Sequence, residues 1–229
     1  MAHQLRFPLP RITARGREDF FVSPANALAH DTVLAPQDWP LGKMVLTGPA
    51  GSGKSHLAEI WLREHHARRH TAADLTDEAV DHLTRAQSPN VVIEDACQPM
   101  SDAAQRALFH LHNLVAQRGG LLLLTARQAP SRWPVTLPDL ASRMQGTSVV
   151  EIAAPDDQLL TALFVKLFHD RQILPPPALI VWLLPRMERS YAAVATIVSE
   201  LDRRALAEKR PIGQRLAADV LDKMAAGGR

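Results

Sequence analysis

The fold is decided by the stretch Gly48-Pro49-Ala50-Gly51-Ser52-Gly53-Lys54-Ser55, which matches the pattern G-x-x-x-x-G-K-S. The apolar run Met44–Thr47 precedes it and a segment with helical spacing, Leu57–Leu62, follows it, which is the strand–loop–helix context of a phosphate-binding loop. In such a loop, backbone N–H groups turn inward around phosphate oxygens, and the helix N-terminus adds its dipole. The stretch therefore predicts a site for a nucleoside diphosphate or triphosphate.

Each residue type in the loop has a defined task. Lys54 is expected to reach the β- and γ-phosphates, and the Ser55 hydroxyl to bind Mg²⁺. We assign nucleotide contacts in this region to Gly48, Pro49, Gly51, Ser52, Gly53, Lys54, Ser55 and His56.

Two acids follow a second apolar run, Val91–Ile93, at Glu94 and Asp95. Three β-branched residues ending in acids predict a buried parallel strand whose C-terminal edge presents carboxylates, where ligands of open α/β sheets bind. One acid would hold Mg²⁺, for which we choose Glu94 together with Ser55, and the other would orient or activate water. Most such strands end in Asp rather than Glu. The longer arm of Glu94 moves its carboxylate, so we expect little hydrolysis by this chain alone.

Composition places the chain among ordinary α/β proteins of the cytoplasm. It has 229 residues, 46% of them hydrophobic, a formal net charge of +2 and a single cysteine, Cys97. No apolar run has the length of a membrane span and the start shows no signal peptide, so we expect a cytoplasmic protein without membrane contact. A charge of +2 does not indicate a dedicated nucleic-acid binder and leaves only weak or indirect DNA contact open. The ten histidines do not predict a metal site, since His110 and His112 would face different sides of a helix.

The chain divides into three parts. Residues 1–17 are polar and contain prolines, which predicts an extended tail. Residues 18–155 alternate between strand and helix patterns, which predicts an α/β parallel sheet with helices on both faces. The pattern of residues 156–229 predicts a small all-helical lid. The predicted strands are Met44–Thr47, Val91–Glu94, Leu121–Thr125 and Val149–Ile152, with a weak strand at Thr71–Leu75. The predicted helices are Ser55–His70, Asp102–Arg118, Asp156–Arg171, Ala178–Pro185, Tyr191–Glu208 and Gly213–Met224.

A phosphate-binding α/β domain followed by a helical bundle resembles the AAA+ ATPases, and two further segments resemble the replication initiator DnaA. The segment Phe20–Ala29 is similar to the DnaA box that cradles adenine, which implies nucleotide contacts at Phe21, Val22 and Asn26. The segment Leu137–Met144 is similar to the one that bears the arginine finger, which implies a catalytic role in trans for Arg143. Alternatively, Arg143 is a helix-terminal arginine that bridges to Asp139.

The tail carries a second resemblance. The run Gln4-Leu5-Arg6-Phe7-Pro8-Leu9 resembles the short peptides with which replication proteins dock on the β sliding clamp of DNA polymerase III. An extended tail offers the Gln4 amide to a pocket rim and large apolar groups to holes, so we assign partner contacts to Gln4, Leu5, Phe7, Pro8 and Leu9. The alternative is that Leu5, Phe7 and Leu9 pack on the chain's own body.

Together these features are similar to the Hda family, the regulatory inactivators of DnaA. The resemblance implies a clamp-bound protein that binds ADP or ATP with Mg²⁺ and makes DnaA hydrolyse its ATP, which prevents re-initiation at the origin. It places the protein at the replisome or nucleoid and implies head-to-tail association, as a homodimer or short oligomer.

The chain departs from the family at two sensor positions. Ala192 stands where the lid normally carries an arginine, and Ala126 follows Thr125, the sensor residue to which we give a catalytic role. We therefore expect stable ADP binding and little intrinsic ATPase activity. The alternatives are a helicase- or clamp-loader-type AAA+ ATPase that runs its own ATP cycle, and a clamp-bound adaptor without catalysis.

Overall fold

The structure, a computed structural model, describes residues 20–84 and 89–227. The tail residues assigned to clamp binding, Gln4, Leu5, Phe7, Pro8 and Leu9, lie outside the described residues. The division of the chain at residues 17 and 155 stays a prediction.

A parallel sheet of five strands forms the centre of the first part of the chain. Its strands are β1 Lys43–Thr47, β2 Arg68–Thr71, β3 Val91–Glu94, β4 Leu122–Ala126 and β5 Val149–Glu151. Their order is β2-β3-β4-β1-β5, and each pair of neighbours is parallel. β1 is the fourth strand across and lies between β4 and β5, so the phosphate-binding loop begins at the end of an interior strand rather than an edge strand. This confirms the predicted α/β class with a parallel sheet.

Helices cover both faces of the sheet. They are α1 Ala27–Val33, α2 Lys54–Glu64, α3 Asp77–Thr84, α4 Asp102–Gln117 and α5 Pro138–Gln145. One apolar cluster joins alternate strand residues such as Ile93 to α4 through Leu108. The cluster on the opposite face joins Leu46 to α1 and α2, with Trp61 fully buried. Strands with both faces buried read as continuous apolar runs, as β1 and β4 do.

The end of the first predicted helix was wrong. The pattern predicted a helix over Ser55–His70, but α2 ends at Glu64, and His66 adopts a left-handed φ of 48°. The next residues form β2, which overlaps the weak strand predicted at Thr71–Leu75 only at Thr71. β2 lies at the edge of the sheet with two of its residues exposed, so it carries basic side chains where a central strand would carry apolar ones.

Four helices form the last part of the described chain: α6 Asp157–His169, α7 Pro177–Leu183, α8 Tyr191–Glu208 and α9 Gln214–Gly227. They share an apolar cluster that contains Phe164, Phe168 and Ile197. The side chain of Asp156 accepts a hydrogen bond from the Leu159 amide at 2.7 Å, so Asp156 is the N-cap residue of α6. Across residues 20–84 and 89–227, every helix is too short or too polar to cross a bilayer.

Candidate nucleotide site

The phosphate-binding loop runs from the end of β1 to the start of α2 and depends on glycine at two turns. Gly51 and Gly53 have φ values of 77° and 95°, which other residues adopt only with strain. Gly53 is the N-cap residue of α2, and the first turn of that helix contains no acidic residue. Its free amide groups and its dipole therefore favour an anion at this end of α2.

Lys54 lies across the loop. Its ammonium donates hydrogen bonds to the carbonyl oxygens of Gly48 at 2.8 Å and Pro49 at 2.7 Å. Burial lowers the pKa of Lys54, the nearby Arg127 lowers it further, and Asp95 opposes the shift. Among the described residues, the buried hydroxyl of Ser52 has no hydrogen-bond partner, which is unusual for a buried polar atom. A loop that pairs a cation with an unsatisfied donor fits a phosphate group.

The carboxyl ends of β3 and β4 bring Asp95 and Thr125 together beside Lys54. The Asp95 amide donates to the Thr125 hydroxyl at 3.4 Å, and the Asp95 carboxylate acts electrostatically on Lys54. Asp95 is exposed and has a left-handed φ of 55°, so the backbone turns directly after the strand. The structure thus places two of the predicted catalytic residues at the lysine of the loop.

Glu94 faces a basic partner instead. Its Oε1 atom lies 3.6 Å from Nε of Arg69 on the edge strand β2, and Arg69 also bonds to Glu59 of α2. Glu59 is in turn paired with Arg63 at 2.7 Å. Oε1 of Glu94 is buried and accepts no hydrogen bond from the part of the chain that the structure describes.

The predicted magnesium ligands fit the metal by their chemistry. Glu94 offers a buried carboxylate oxygen without a hydrogen bond, and Ser55 offers an exposed hydroxyl on the first turn of α2. Oxygen donors of this kind suit Mg²⁺, which in such sites also binds the nucleotide phosphates. Bound there, the metal would neutralise charge on the β- and γ-phosphates.

The segment predicted to hold adenine is braced by its own asparagine. The Asn26 amide donates to the Phe21 carbonyl at 2.9 Å and accepts from the Ser23 amide at 2.8 Å. The Ala25 amide donates to Asp156 at 3.3 Å, which ties the segment to the start of α6. Burial opposes ionisation of Asp156, but hydrogen bonds from the backbone and from Ser23 lower its pKa. Asn26 is therefore occupied in shaping the segment.

A cavity of about 1070 Å³ opens between this segment, the phosphate-binding loop and α6. Among the predicted contacts, its lining includes Phe21, Asn26, Gly51, Ser52, Gly53 and His56. Val22 is not part of the lining. The size and the largely apolar wall suit a nucleotide base and sugar.

Phe20, Leu159 and Tyr191 are among the lining residues that were not predicted from the sequence. The Phe20 ring meets His56 edge-on with ring centroids 5.3 Å apart, and a Cβ atom at Gly53 would lie 3.2 Å from it. Leu159 lines the cavity from α6. Tyr191 lines it from α8; its buried hydroxyl donates to the Ala153 carbonyl at 3.3 Å, and burial raises its pKa to about 12. Phe20 begins the adenine-box segment, so its aromatic type was an available signal.

The start of α8 touches the loop at the position expected for the lid sensor. A Cβ atom at Gly51 would lie 3.2 Å from Tyr191 Cβ and 3.9 Å from the Ala192 nitrogen. Ala192, at the position where the lid of the family carries an arginine, thus lies at the loop with its backbone and offers no guanidinium there. Arg189, one turn earlier, is paired with Asp157 at the start of α6.

Arg143 lies in the last turn of α5 and is exposed. Within the described residues its guanidinium forms no salt bridge, so the alternative pairing with Asp139 is absent. Its role as a finger in trans stays a prediction.

Comparisons with known proteins found similar sequences and similar folds. No family model matches the chain. It is 24% identical over 231 residues to the chromosomal replication initiator protein DnaA of Thermomicrobium roseum, which covers 89% of this chain and 48% of that protein. It is 25% identical over 219 residues to an uncharacterised protein of Haemophilus influenzae, which covers 92% and 94%. The chain thus spans about half the length of the DnaA relative and nearly all of the other.

Solved structures show the fold. Domain III of Thermotoga maritima DnaA superimposes with a TM-score of 0.75 at 17% identity, over 91% of this chain and 96% of that one. DnaA bound to AMPPCP and single-stranded DNA gives 0.67 at 17% identity, over 84% and 67%. The RuvB Holliday junction branch migration motor of T. maritima gives 0.68 at 13% identity, over 93% and 73%. The chain has the AAA+ fold, in the form seen in domain III of DnaA.

Proposed function

We propose that this chain is a DnaA-like AAA+ regulator of replication initiation. It binds ADP or ATP in its own cavity and stimulates hydrolysis of ATP held by DnaA. The observation that carries the proposal is the exposed Arg143 on α5, which has no carboxylate partner among residues 20–84 and 89–227 and lies in a segment that resembles the one that bears the DnaA finger. The sequence likeness to a DnaA protein and the DnaA-like fold support it.

Nucleotide binding is the part with the most support from geometry. Gly51 and Gly53 of the loop line the same cavity as Phe20, and the ammonium of Lys54 lies across that loop. The solved relatives with AMPPCP bound share this fold.

The chemistry of a guanidinium that no described carboxylate holds supports the proposed action in trans. Placed at the γ-phosphate of a neighbouring domain, it would stabilise the charge of the transition state, and such fingers contribute on the order of 10³–10⁵ in rate. A guanidinium already held by a carboxylate would first have to give up that partner. Arg143 has none among the described residues, so it is available for a phosphate.

Weak intrinsic hydrolysis is the second element of the proposal. Ala192 lies beside the phosphate loop, where it offers no charge, and Arg189 is engaged by Asp157. Glu94 lies beside the guanidinium of Arg69, which competes with Mg²⁺ for its carboxylate. These three features leave the chain's own nucleotide with fewer groups to stabilise charge on the γ-phosphate.

Clamp binding by Gln4, Leu5, Phe7, Pro8 and Leu9 completes the proposal and rests on the sequence resemblance alone. It would concentrate the regulator at newly replicated DNA, with any DNA contact indirect or weak. A location in the cytoplasm, at the replisome, follows from the same partner.

The test is hydrolysis of DnaA-bound ATP in the presence of this chain, with and without β clamp loaded on DNA. The account expects stimulation that requires the clamp and is lost both in Arg143→Ala and in the double variant Gln4→Ala, Leu5→Ala. Direct binding of each variant to the clamp separates the two sites, because only the tail variant should lose it.

Other results would favour the alternatives. Robust hydrolysis by the chain without DnaA, abolished in Asp95→Ala, would indicate a loader or helicase type that runs its own cycle. Stimulation that persists in Arg143→Ala would indicate an adaptor that acts through docking alone.

A further inference from the structure

A buried chain of polar groups runs beneath α5 and ends on the finger residue. Lys43, the first residue of β1, is 4% exposed, and its Nζ lies 3.0 Å from Nδ1 of His112 on α4. Nε2 of His112 lies 3.4 Å from the hydroxyl of Thr147, which follows α5. That hydroxyl donates at 2.8 Å to the carbonyl oxygen of Arg143. We call these three side chains the Lys43–His112–Thr147 relay.

The relay has one consistent direction. A lysine ammonium can only donate, so Nδ1 of His112 accepts and its proton is on Nε2. Nε2–H then donates to the Thr147 hydroxyl, which keeps its own proton for the Arg143 carbonyl. Burial, then the charges of Lys43 and Arg143, lower the pKa of His112 to about 4, so the ring is neutral as this arrangement requires.

The relay carries a free-energy cost that a merely structural link between β1 and α4 would avoid. Within the described residues no carboxylate pairs with Lys43, although a buried charge without a counter-ion is expensive. Burial lowers the pKa of Lys43 to about 8, and the charge of Arg143 contributes to the same shift. An apolar pair at Lys43 and His112 would connect β1 to α4 without this cost.

The same charge acts on the finger. The charge of Arg143 contributes to the lowered pKa of Lys43, so the ammonium at the start of the relay and the guanidinium at its end interact electrostatically. The Arg143 carbonyl is meanwhile held by Thr147, which fixes the last turn of α5.

We propose that Lys43, His112 and Thr147 are positioning residues for Arg143. They fix the last turn of α5 and so hold the exposed guanidinium at a defined place from which it reaches the phosphates of a nucleotide held by a second AAA+ domain. This inference rests on the proposed role of Arg143 as a finger in trans.

Thr147 supplies a matched pair of variants, because it is the link that touches Arg143 and its replacement leaves the Lys43–His112 contact in place. Thr147→Val keeps the shape and removes the hydroxyl, whereas Thr147→Ser keeps the hydroxyl. With DnaA–ATP and clamp present, the valine variant should lower the maximal hydrolysis rate about tenfold or more, as small misplacements of catalytic groups do. The concentration of the chain at half-maximal stimulation should not change, and the serine variant should restore the rate.

Two results would overturn the inference. One is a valine variant with the wild-type maximal rate. The other is a loss confined to the half-maximal concentration or shared by the serine variant, since both would indicate a merely structural hydroxyl.

A second measurement uses the chain alone and separates this inference from the proposed function. The amides of Gly146 and Thr147 donate to Ser142 and Met144 within the last turn of α5, at 3.0 and 3.1 Å. Hydrogen exchange at these two amides should become severalfold faster in Thr147→Val and stay at the wild-type rate in Thr147→Ser. If wild-type protein fails to stimulate DnaA, the proposed function is overturned. Unchanged exchange overturns the relay, even where stimulation is observed.

Discussion

Acid should destabilise this protein through His112 by an amount that can be worked out from the structure. The ordinary pKa of histidine is 6.5, and burial beside Lys43 and Arg143 lowers that of His112 to about 4. Between these two values the unfolded chain binds more protons than the folded one at this position. Stability is therefore fully present above pH 6.5 and declines as the pH falls toward 4.

The size of the effect follows from the shift. Each unit of pKa difference corresponds to about 1.4 kcal/mol, so a drop from neutral pH to pH 4 should cost about 3 kcal/mol of unfolding free energy through this side chain. That is a large share of the stability of an ordinary domain. Glu59 and Asp156 have lowered pKa values and lose stability in the same direction, so wild-type protein alone cannot isolate the histidine.

A comparison of variants isolates it. His112→Gln removes the titrating group, and His110→Gln makes the same change at an exposed position of α4. Urea denaturation near pH 7.5, 5.5 and 4 should show wild type and the His110 variant losing about 3 kcal/mol more than the His112 variant over this range. Equal losses in all three proteins would contradict this expectation, because His112 would then take up its proton in the folded protein at the ordinary pKa of histidine, 6.5.

Three further predictions concern the nucleotide site. Gly53→Ala should weaken ADP binding, measured by titration with fluorescent ADP, because a side chain at its φ of 95° costs about 1–2 kcal/mol and the new methyl group contacts Phe20. The control Gly119→Ala, at a φ of 64° with no neighbour within 4 Å, should lower the stability of the protein but not its affinity for ADP. Asn26→Ala should lower the free energy of unfolding by about 1–3 kcal/mol, because the Ser23 amide and the Phe21 carbonyl lose their hydrogen-bond partner. The control Leu28→Ala, at an exposed site nearby, should leave this free energy unchanged, and thermal denaturation with and without ADP measures both variants. Arg69→Gln should lower severalfold the Mg²⁺ concentration needed for half-maximal ATP binding, because Glu94 loses the cation that competes with the metal. The control Arg63→Gln releases only Glu59 and should leave this concentration unchanged. A higher Mg²⁺ requirement in Arg69→Gln would mean that Arg69 supports metal binding by Glu94 rather than competing with it.

The sequence predicted those parts of the fold in which local pattern and tertiary position agree. β1 and β3 are buried on both faces, so their apolar runs were informative, and the glycines of the loop have the φ values that its motif requires. The position of β2 was not predicted, because an edge strand can carry basic side chains and its residues continue the polar pattern of the preceding helix end. Edge position depends on strand order, which a local pattern does not contain.

The site divides in the same way. Lys54, Asp95 and Thr125 could be predicted because a motif and strand ends place them. Tyr191 comes from a helix more than 100 residues away from the loop that it contacts, so only the folded chain brings it there. His110 and His112 do face different sides of α4, as their spacing predicts, but the contact of His112 with Lys43 is a long-range one that spacing does not reveal.

The most direct test of the central claim follows two nucleotides separately. ATP labelled at the γ-phosphate is loaded on DnaA in one reaction and on this chain in another, and a single turnover is measured with DNA-loaded clamp present. We expect label on DnaA to be released rapidly with wild-type chain and slowly with Arg143→Ala, while label on the chain is released slowly in both. Rapid release from the chain, or release from DnaA that does not depend on Arg143, would contradict it.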